Sequence, residues 1–129
     1  MKPGIEGAAE ALWQARSERK TIARVSETFD IQTVQDAYAI AEVNVSRALA
    51  AGARVCGKKI GLTSKAVQQP PGVDQPDYGV LFADMEYLSG AELPAQKLLQ
   101  PKAEGEIAGV GARELDAPDL SWGHFLVRL

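Results

Sequence analysis

The chain has 129 residues and a mass of 13.8 kDa, which suits one domain with a modest core. Hydrophobic residues make up 46% of the sequence and charged residues 24%, a composition typical of folded globular proteins. The net charge of −3 argues against a nucleic-acid-binding protein, because such proteins carry a basic face. One cysteine excludes an internal disulfide framework, and one histidine excludes a site with two imidazoles. No stretch is typical of a secretory signal or a membrane span, so we expect a cytoplasmic protein without a membrane partner.

The first part of the chain has helical patterning. Residues 6–20 place apolar side chains at helical spacing, with charged residues on the other side. A second helix is predicted after Thr33, because Asp36 follows three residues later and completes an N-terminal capping pattern. Gly52 stands where a glycine ends a helix. We therefore predict a helical region over residues 1–53.

The rest of the chain changes to short, β-leaning segments. The predicted strands are residues 54–63, 80–82, 86–88 and 103–110. Residues 64–79 between the first two strands are rich in proline and glycine, and a loop of this length in a compact domain is usually a functional lid or binding loop. Helices first and strands later indicate an α+β fold, with residues 54–129 as its β-rich region.

Glu104 and Glu106 flank Gly105 in the last predicted strand. Residues i and i+2 of a strand project from the same face, so the two carboxylates would stand side by side. A hard divalent ion such as Mg²⁺ suits that arrangement, because it takes oxygen ligands and relieves the repulsion between the carboxylates. From the spacing alone, two solvated acids on an edge strand remain the favoured interpretation.

Two further places carry candidate chemistry. Lys58 and Lys59 are adjacent on a predicted strand, so their side chains face opposite sides and at most one of them can enter a site. Two surface lysines are the favoured interpretation, and the alternative is a lysine that transfers protons beside a metal. In the loop at residues 72–79, Asp74 and Asp77 are typical of residues that initiate turns, and either could instead be a base that covers a ligand.

Four segments in this order are far more specific than any one of them. They are GKKIGLTS at residues 57–64, GVDQPDYG at 72–79, LFADM at 81–85 and QPKAEGEIA at 100–108. Together they resemble the 2-keto-4-pentenoate (2-hydroxypenta-2,4-dienoate) hydratases of the fumarylacetoacetate hydrolase superfamily, which act in the meta-cleavage degradation of aromatic compounds. The resemblance runs over nearly the whole chain but covers only about the N-terminal half of such an enzyme.

The resemblance implies a fold and a set of site residues. The fold would be N-terminal helices followed by the first strands of a fumarylacetoacetate hydrolase-type mixed β fold. Glu104 and Glu106 would hold Mg²⁺ or Mn²⁺ together with a third carboxylate from a later strand. Lys59, directly before Ile-Gly-Leu-Thr, matches the family's site lysine, and Asp77 in Gln-Pro-Asp-Tyr-Gly matches its loop acid. Lys59 would transfer protons or stabilise an enolate, and Asp77 would orient Lys59 or activate water.

The family resemblance leaves three interpretations open. The first is a hydratase that converts 2-hydroxypenta-2,4-dienoate into 4-hydroxy-2-oxopentanoate, and the run at residues 74–85 favours it. The second is the 2-oxo-3-hexenedioate decarboxylase of the same superfamily, which shares the metal and the lysine. The third is a non-catalytic, truncated product, because the chain stops before the third carboxylate. For the first two we expect a small 2-oxo acid as substrate and, from the family's habit, a homo-oligomer.

Overall fold

The computed structural model of the protein describes residues 3–63 and 75–110. The elements in chain order are α1 (Pro3–Glu18), α2 (Val25–Thr28), α3 (Val34–Ala50), β1 (Val55–Gly61) and β2 (Asp77–Phe82), followed by the single 3-10 turns Ala83–Met85 and Ala95–Lys97. Helices followed by a small sheet confirm the predicted α+β class. The chain divides into two compact units, Met1–Leu99 and Gln100–Leu129, and all of these elements lie in the first. The predicted boundary after residue 53 stays a prediction.

The ends of α3 lie where the sequence predicts them. The Thr33 side-chain oxygen accepts a hydrogen bond from the backbone N–H of Asp36 at 3.1 Å, which satisfies one of the donors left open at a helix N-terminus. At the other end Ala51 caps the helix, and Gly52 has a φ of +91°, a conformation that glycine adopts at little cost. Local sequence therefore fixes the length of this helix.

The core is formed where α1 packs against α3 and the segment between them. Its buried hydrophobic residues are Ile5, Ala8, Ala9, Ile31 and Ile40. The alanines allow the two helices to approach closely, and a larger side chain there would have to displace a neighbour. Polar contacts join the same helices, since Asn44 donates from Nδ2 to the carbonyl of Ala9 at 3.0 Å. Arg47 pairs with Glu10 at 2.8 Å on the same side.

Strands β1 and β2 form an antiparallel pair, and this pair is the whole of the sheet within residues 3–63 and 75–110. The register is regular from Gly57 to Gly61, whereas a bulge interrupts it between Val55 and Gly57. The backbone N–H of Ala83 donates to the carbonyl of Arg54 at 2.9 Å and extends the pairing past the end of β2. Phe82 at that end is 6% exposed, so it anchors the strand.

Two of the predicted strands are wrong. Residues 86–88 follow a 3-10 turn as irregular chain, and residues 103–110 have no regular secondary structure. A strand forms only where a neighbour takes its backbone N–H and C=O groups, and no described segment pairs with either stretch. Gly105 and Gly109 also weaken an extended conformation through their backbone entropy.

The predicted loop at residues 64–79 also ends earlier than expected. Strand β2 begins at Asp77, so the strand includes Asp77 and Gly79, which the sequence assigns to the loop. Residues 64–74, with Asp74 and the Pro70-Pro71 pair, lie outside the described residues.

None of the helices among the described residues has the length and apolar character that a membrane-spanning helix needs.

Candidate functional site

The register of the β1–β2 hairpin brings Lys59 and Asp77 onto one face. Lys59 lies opposite Gly79, and Asp77 lies opposite Gly61. Residues opposite each other share a face of the sheet, as do alternate residues along a strand. Lys59 and Asp77 are therefore diagonal neighbours, a relation that places Cβ atoms about 7–8 Å apart. A lysine and a carboxylate at this spacing can interact with one small ligand or with each other.

The two glycines opposite these residues keep this face of the hairpin open. A Cβ atom built on Gly61 would collide with Oδ1 of Asp77 and would lie 3.4 Å from its Cγ atom. The Asp77 carboxylate therefore lies directly over Gly61, in the space that a side chain would occupy. A Cβ atom on Gly79 would meet no heavy atom within 4 Å, so the surface beside Lys59 is open.

The other face of the hairpin packs against α3. The rings of Tyr78 and Tyr38 are stacked, with centroids 4.7 Å apart and planes 18° from parallel. The Tyr38 hydroxyl accepts a hydrogen bond from the backbone N–H of Tyr78 at 3.2 Å. Lys58 lies with its Nζ atom 5.8 Å from the centre of the Tyr78 ring. The prediction that Lys58 and Lys59 face opposite sides is confirmed.

A cavity of about 350 Å³ lies between α3 and the end of the hairpin at which β1 ends and β2 begins. Its lining residues are Val34, Ala37, Tyr38, Ala41, Leu62, Gln75, Pro76, Asp77 and Tyr78. Asp77 is the one charged residue among these, and most of the others are apolar. A carboxylate at the edge of an apolar cavity suits a ligand that has a short hydrocarbon part next to an atom that gains or loses a proton.

Glu104 and Glu106 lie in the second compact unit, on irregular and exposed chain. Since residues 103–110 form no strand, the expectation that a strand places both carboxylates on one face is wrong. Within the described ranges, no group of three or more histidine, cysteine or acidic side chains is arranged to hold a metal ion. The pair nonetheless supplies the hard oxygen donors that Mg²⁺ and Mn²⁺ prefer, and its roles stay predictions.

The contact between Tyr38 and Tyr78 is a feature of this site that sequence reasoning missed. The two residues are 40 positions apart, and each fits an ordinary apolar pattern in its own element. Gly61 interrupts the first predicted strand, whereas Gly79 falls in the predicted loop. Their placement across from Lys59 and Asp77 follows only from the strand register.

The backbone matches solved enzymes of known class. A 4-oxalocrotonate decarboxylase from Pseudomonas putida G7, complexed with calcium and acetate, matches with a TM-score of 0.71 and 29% identity over 77% of this chain and 38% of its own. The same enzyme, complexed with magnesium and adipate, matches with a TM-score of 0.59 and 32% identity over 64% of this chain. This neighbour is a fumarylacetoacetate hydrolase superfamily enzyme, so the fold corresponds to the first part of that superfamily's fold.

Comparison with curated sequences identifies more similar relatives within this superfamily. A 2-keto-4-pentenoate hydratase of Paraburkholderia xenovorans is 49% identical over 111 residues, which are 86% of this chain and 41% of the relative. A 2-hydroxypent-2,4-dienoate hydratase of Pseudomonas putida is 48% identical over 119 residues, covering 91% of this chain and 53% of the relative. A scan against protein-family models finds no match. The chain is thus related to the 2-keto-4-pentenoate hydratases, as its motifs predict, and spans about half the length of the curated relatives it matches.

Proposed function

We propose that this chain carries the first part of a hydratase site that adds water to 2-hydroxypenta-2,4-dienoate and yields 4-hydroxy-2-oxopentanoate. The observation that supports this most directly is the shared hairpin face of Lys59 and Asp77, with glycine opposite each of them. The names of relatives that are 46–49% identical supply the reaction class. The homo-oligomeric state and the cytoplasmic location predicted from the sequence belong to the same proposal.

The reaction needs proton transfers that these two side chains can serve. The 2-hydroxyl of the dienol loses a proton while the terminal carbon gains one, which leaves a 2-oxo acid whose remaining double bond accepts water. The water oxygen then bonds to C4, and a proton is delivered to C3. We assign the Nζ atom of Lys59 to transfer of the proton at the 2-oxygen. Asp77 orients Lys59 or takes a proton from the attacking water.

We assign Glu104 and Glu106 to a divalent cation, Mg²⁺ or Mn²⁺. The chemistry of the pair supports this, because carboxylate oxygens are the hard donors that Mg²⁺ and Mn²⁺ prefer. The solved neighbours are complexed with calcium or magnesium, which supports a divalent ion as the cofactor. When bound, such an ion acts as a Lewis acid and template for the substrate's carboxylate and 2-oxygen. The family resemblance implies that a third carboxylate from a later strand completes the set of metal ligands.

Turnover and metal binding can be measured together on the 129-residue chain. The dienoate is generated in situ, its ultraviolet absorbance is followed with and without Mg²⁺, and 4-hydroxy-2-oxopentanoate is identified as product. We expect Mg²⁺-dependent turnover and a rise in melting temperature, because a ligand that binds the native state stabilises it. Glu106→Gln should abolish both effects, whereas Glu92→Gln, which removes another exposed carboxylate, should leave both unchanged.

The same assay separates the alternatives. Product formed only at the buffer rate, without stabilisation by Mg²⁺, would contradict the hydratase for this chain and favour the non-catalytic interpretation. The decarboxylase is the second candidate because both solved neighbours bear that name. Release of CO₂ from 2-oxo-3-hexenedioate at a rate matching or exceeding hydration of the dienoate would favour it over the hydratase.

A further inference from the structure

A second and larger cavity lies away from the hairpin face described above. It is bounded by the C-terminal ends of α1 and α3, by the end of β2 and by the 3-10 turn Ala95–Lys97, and its volume is about 510 Å³. All of these elements belong to the first compact unit. A cavity of this size falls within the range of small-molecule sites, about 300–1,000 Å³.

The charges around this cavity are unbalanced. Three cationic side chains line it, those of Arg16, Arg19 and Lys97, against the single carboxylate of Asp84. None of the three cations forms an ion pair with another described residue, although the chain as a whole is acidic. Lys97 lies with its Nζ atom 5.8 Å from the centre of the Tyr87 ring, a contact that leaves its charge in place. Converging cations without a carboxylate partner create a positive local potential, which attracts an anion.

One of the cations is held in place by the backbone. The Nη1 atom of Arg19, the residue directly after α1, donates a hydrogen bond to the carbonyl oxygen of Gln96 and so connects the end of the helix to the 3-10 turn Ala95–Lys97. Arg16 lies three residues earlier, in the last turn of α1, and lines the same cavity. A guanidinium that is already positioned loses less conformational entropy when it binds a carboxylate or phosphate.

The rest of the cavity wall is apolar and partly aromatic. The ring of Phe82 is buried and that of Trp13 is half-buried, and alanines from the end of α3 complete the surface. From this combination of cations and rings, we propose that the cavity binds a small organic anion with a planar apolar body, such as an aromatic carboxylate. The acidic group would meet Arg16, Arg19 and Lys97, and the apolar body would lie against Trp13 and Phe82.

The proposal can be tested on the intact chain with 4-fluorobenzoate, whose fluorine NMR signal broadens and shifts on binding. We expect saturable binding of the benzoate and at least tenfold weaker binding of the neutral 4-fluorobenzamide. Arg16→Gln and Lys97→Gln should each weaken benzoate binding about threefold to tenfold, since each removes a cation that attracts the carboxylate. Asp84→Asn should strengthen it, because the substitution removes the repelling carboxylate.

Arg24→Gln is the matched control. Arg24 is exposed, pairs with Glu27 at 3.4 Å and lies outside the cavity, so its loss changes the net charge by the same amount as Arg16→Gln. Equal weakening by Arg24→Gln and Arg16→Gln would overturn the proposal, because it would show attraction by net charge alone. Absence of saturable binding, or equal binding of the benzamide, would also overturn it. The far-ultraviolet circular dichroism of each variant confirms that its helices are retained.

Discussion

The two faces of the β1–β2 hairpin differ sharply although the same two strands form both. One face carries Lys58 and Tyr78, and it packs through the stacked Tyr38 ring onto α3. The other face carries Lys59 and Asp77, and the residues opposite them are the glycines Gly79 and Gly61. The first face therefore fixes the position of the hairpin, while the second leaves room for a ligand between a cation and a carboxylate.

This difference gives Lys58 and Lys59 different surroundings, although local sequence patterns do not distinguish them. Lys58 and Lys59 have nearly the same neighbours in the chain, yet the pleat gives one an aromatic contact and the other a carboxylate as its diagonal neighbour. A rigid packed face on one side of a strand is an effective way to hold functional side chains on the other side, because catalytic geometry tolerates little displacement.

After substitution of Lys59, which is treated last, the largest loss of turnover is expected at Asp77. Asp77→Asn keeps the shape of the side chain but removes the negative charge, so turnover of the dienoate should fall about 100-fold. Asp30→Asn is the control, since it makes the same change at an exposed residue that lies before α3. The steady-state turnover rates of the two variants are compared. Equal rates would show that the Asp77 carboxylate has no role in turnover.

A smaller effect is expected from crowding the open face. Gly61→Ala should displace the Asp77 carboxylate and lower turnover about tenfold, since a shift of about 1 Å at a reacting group is costly. Gly79→Ala adds the same methyl group where nothing lies within 4 Å, so it should be tolerated. Both variants are compared by turnover and by melting temperature. If Gly79→Ala lowered turnover as much as Gly61→Ala, the placement of the carboxylate would be wrong.

The smallest effect concerns the packed face. Tyr38→Phe keeps the ring stack but removes the acceptor for the Tyr78 backbone N–H, so unfolding should become easier by about 1 kcal/mol. Tyr87→Phe is the matched control, because the Tyr87 hydroxyl makes no hydrogen bond to a described residue. Urea denaturation gives both values. Equal stability of the two variants would mean that the Tyr38 hydroxyl does not support the hairpin.

The sequence predicts the helical part of this fold well and the sheet less well. Thr33 and Asp36 form a cap through neighbours in the chain, so a local pattern is sufficient to place the start of α3. Strands depend on a partner that can be far away, and residues 103–110 look like a strand but have none among the described residues. Local pattern therefore overestimates the sheet.

The candidate site shows the same limit. Lys59 and Asp77 are identified from motifs, whereas their shared face requires the strand register. Glu104 and Glu106 are also identified from a motif, and the strand that was expected to align them is not present. Candidate site residues can thus be identified from the sequence. The distances between their side chains depend on pairing between distant segments, which local sequence patterns do not determine.

The most direct test of the two-face account compares Lys59→Met with Lys58→Met in the dienoate turnover assay with Mg²⁺. Both substitutions remove one positive charge and keep an unbranched side chain, so they differ only in the face that they alter. We expect Lys59→Met to lower turnover about 10²- to 10⁴-fold, the usual contribution of a group that transfers protons, and Lys58→Met to keep it within about twofold. Similar rates for the two variants, or a greater loss in Lys58→Met, would contradict the account.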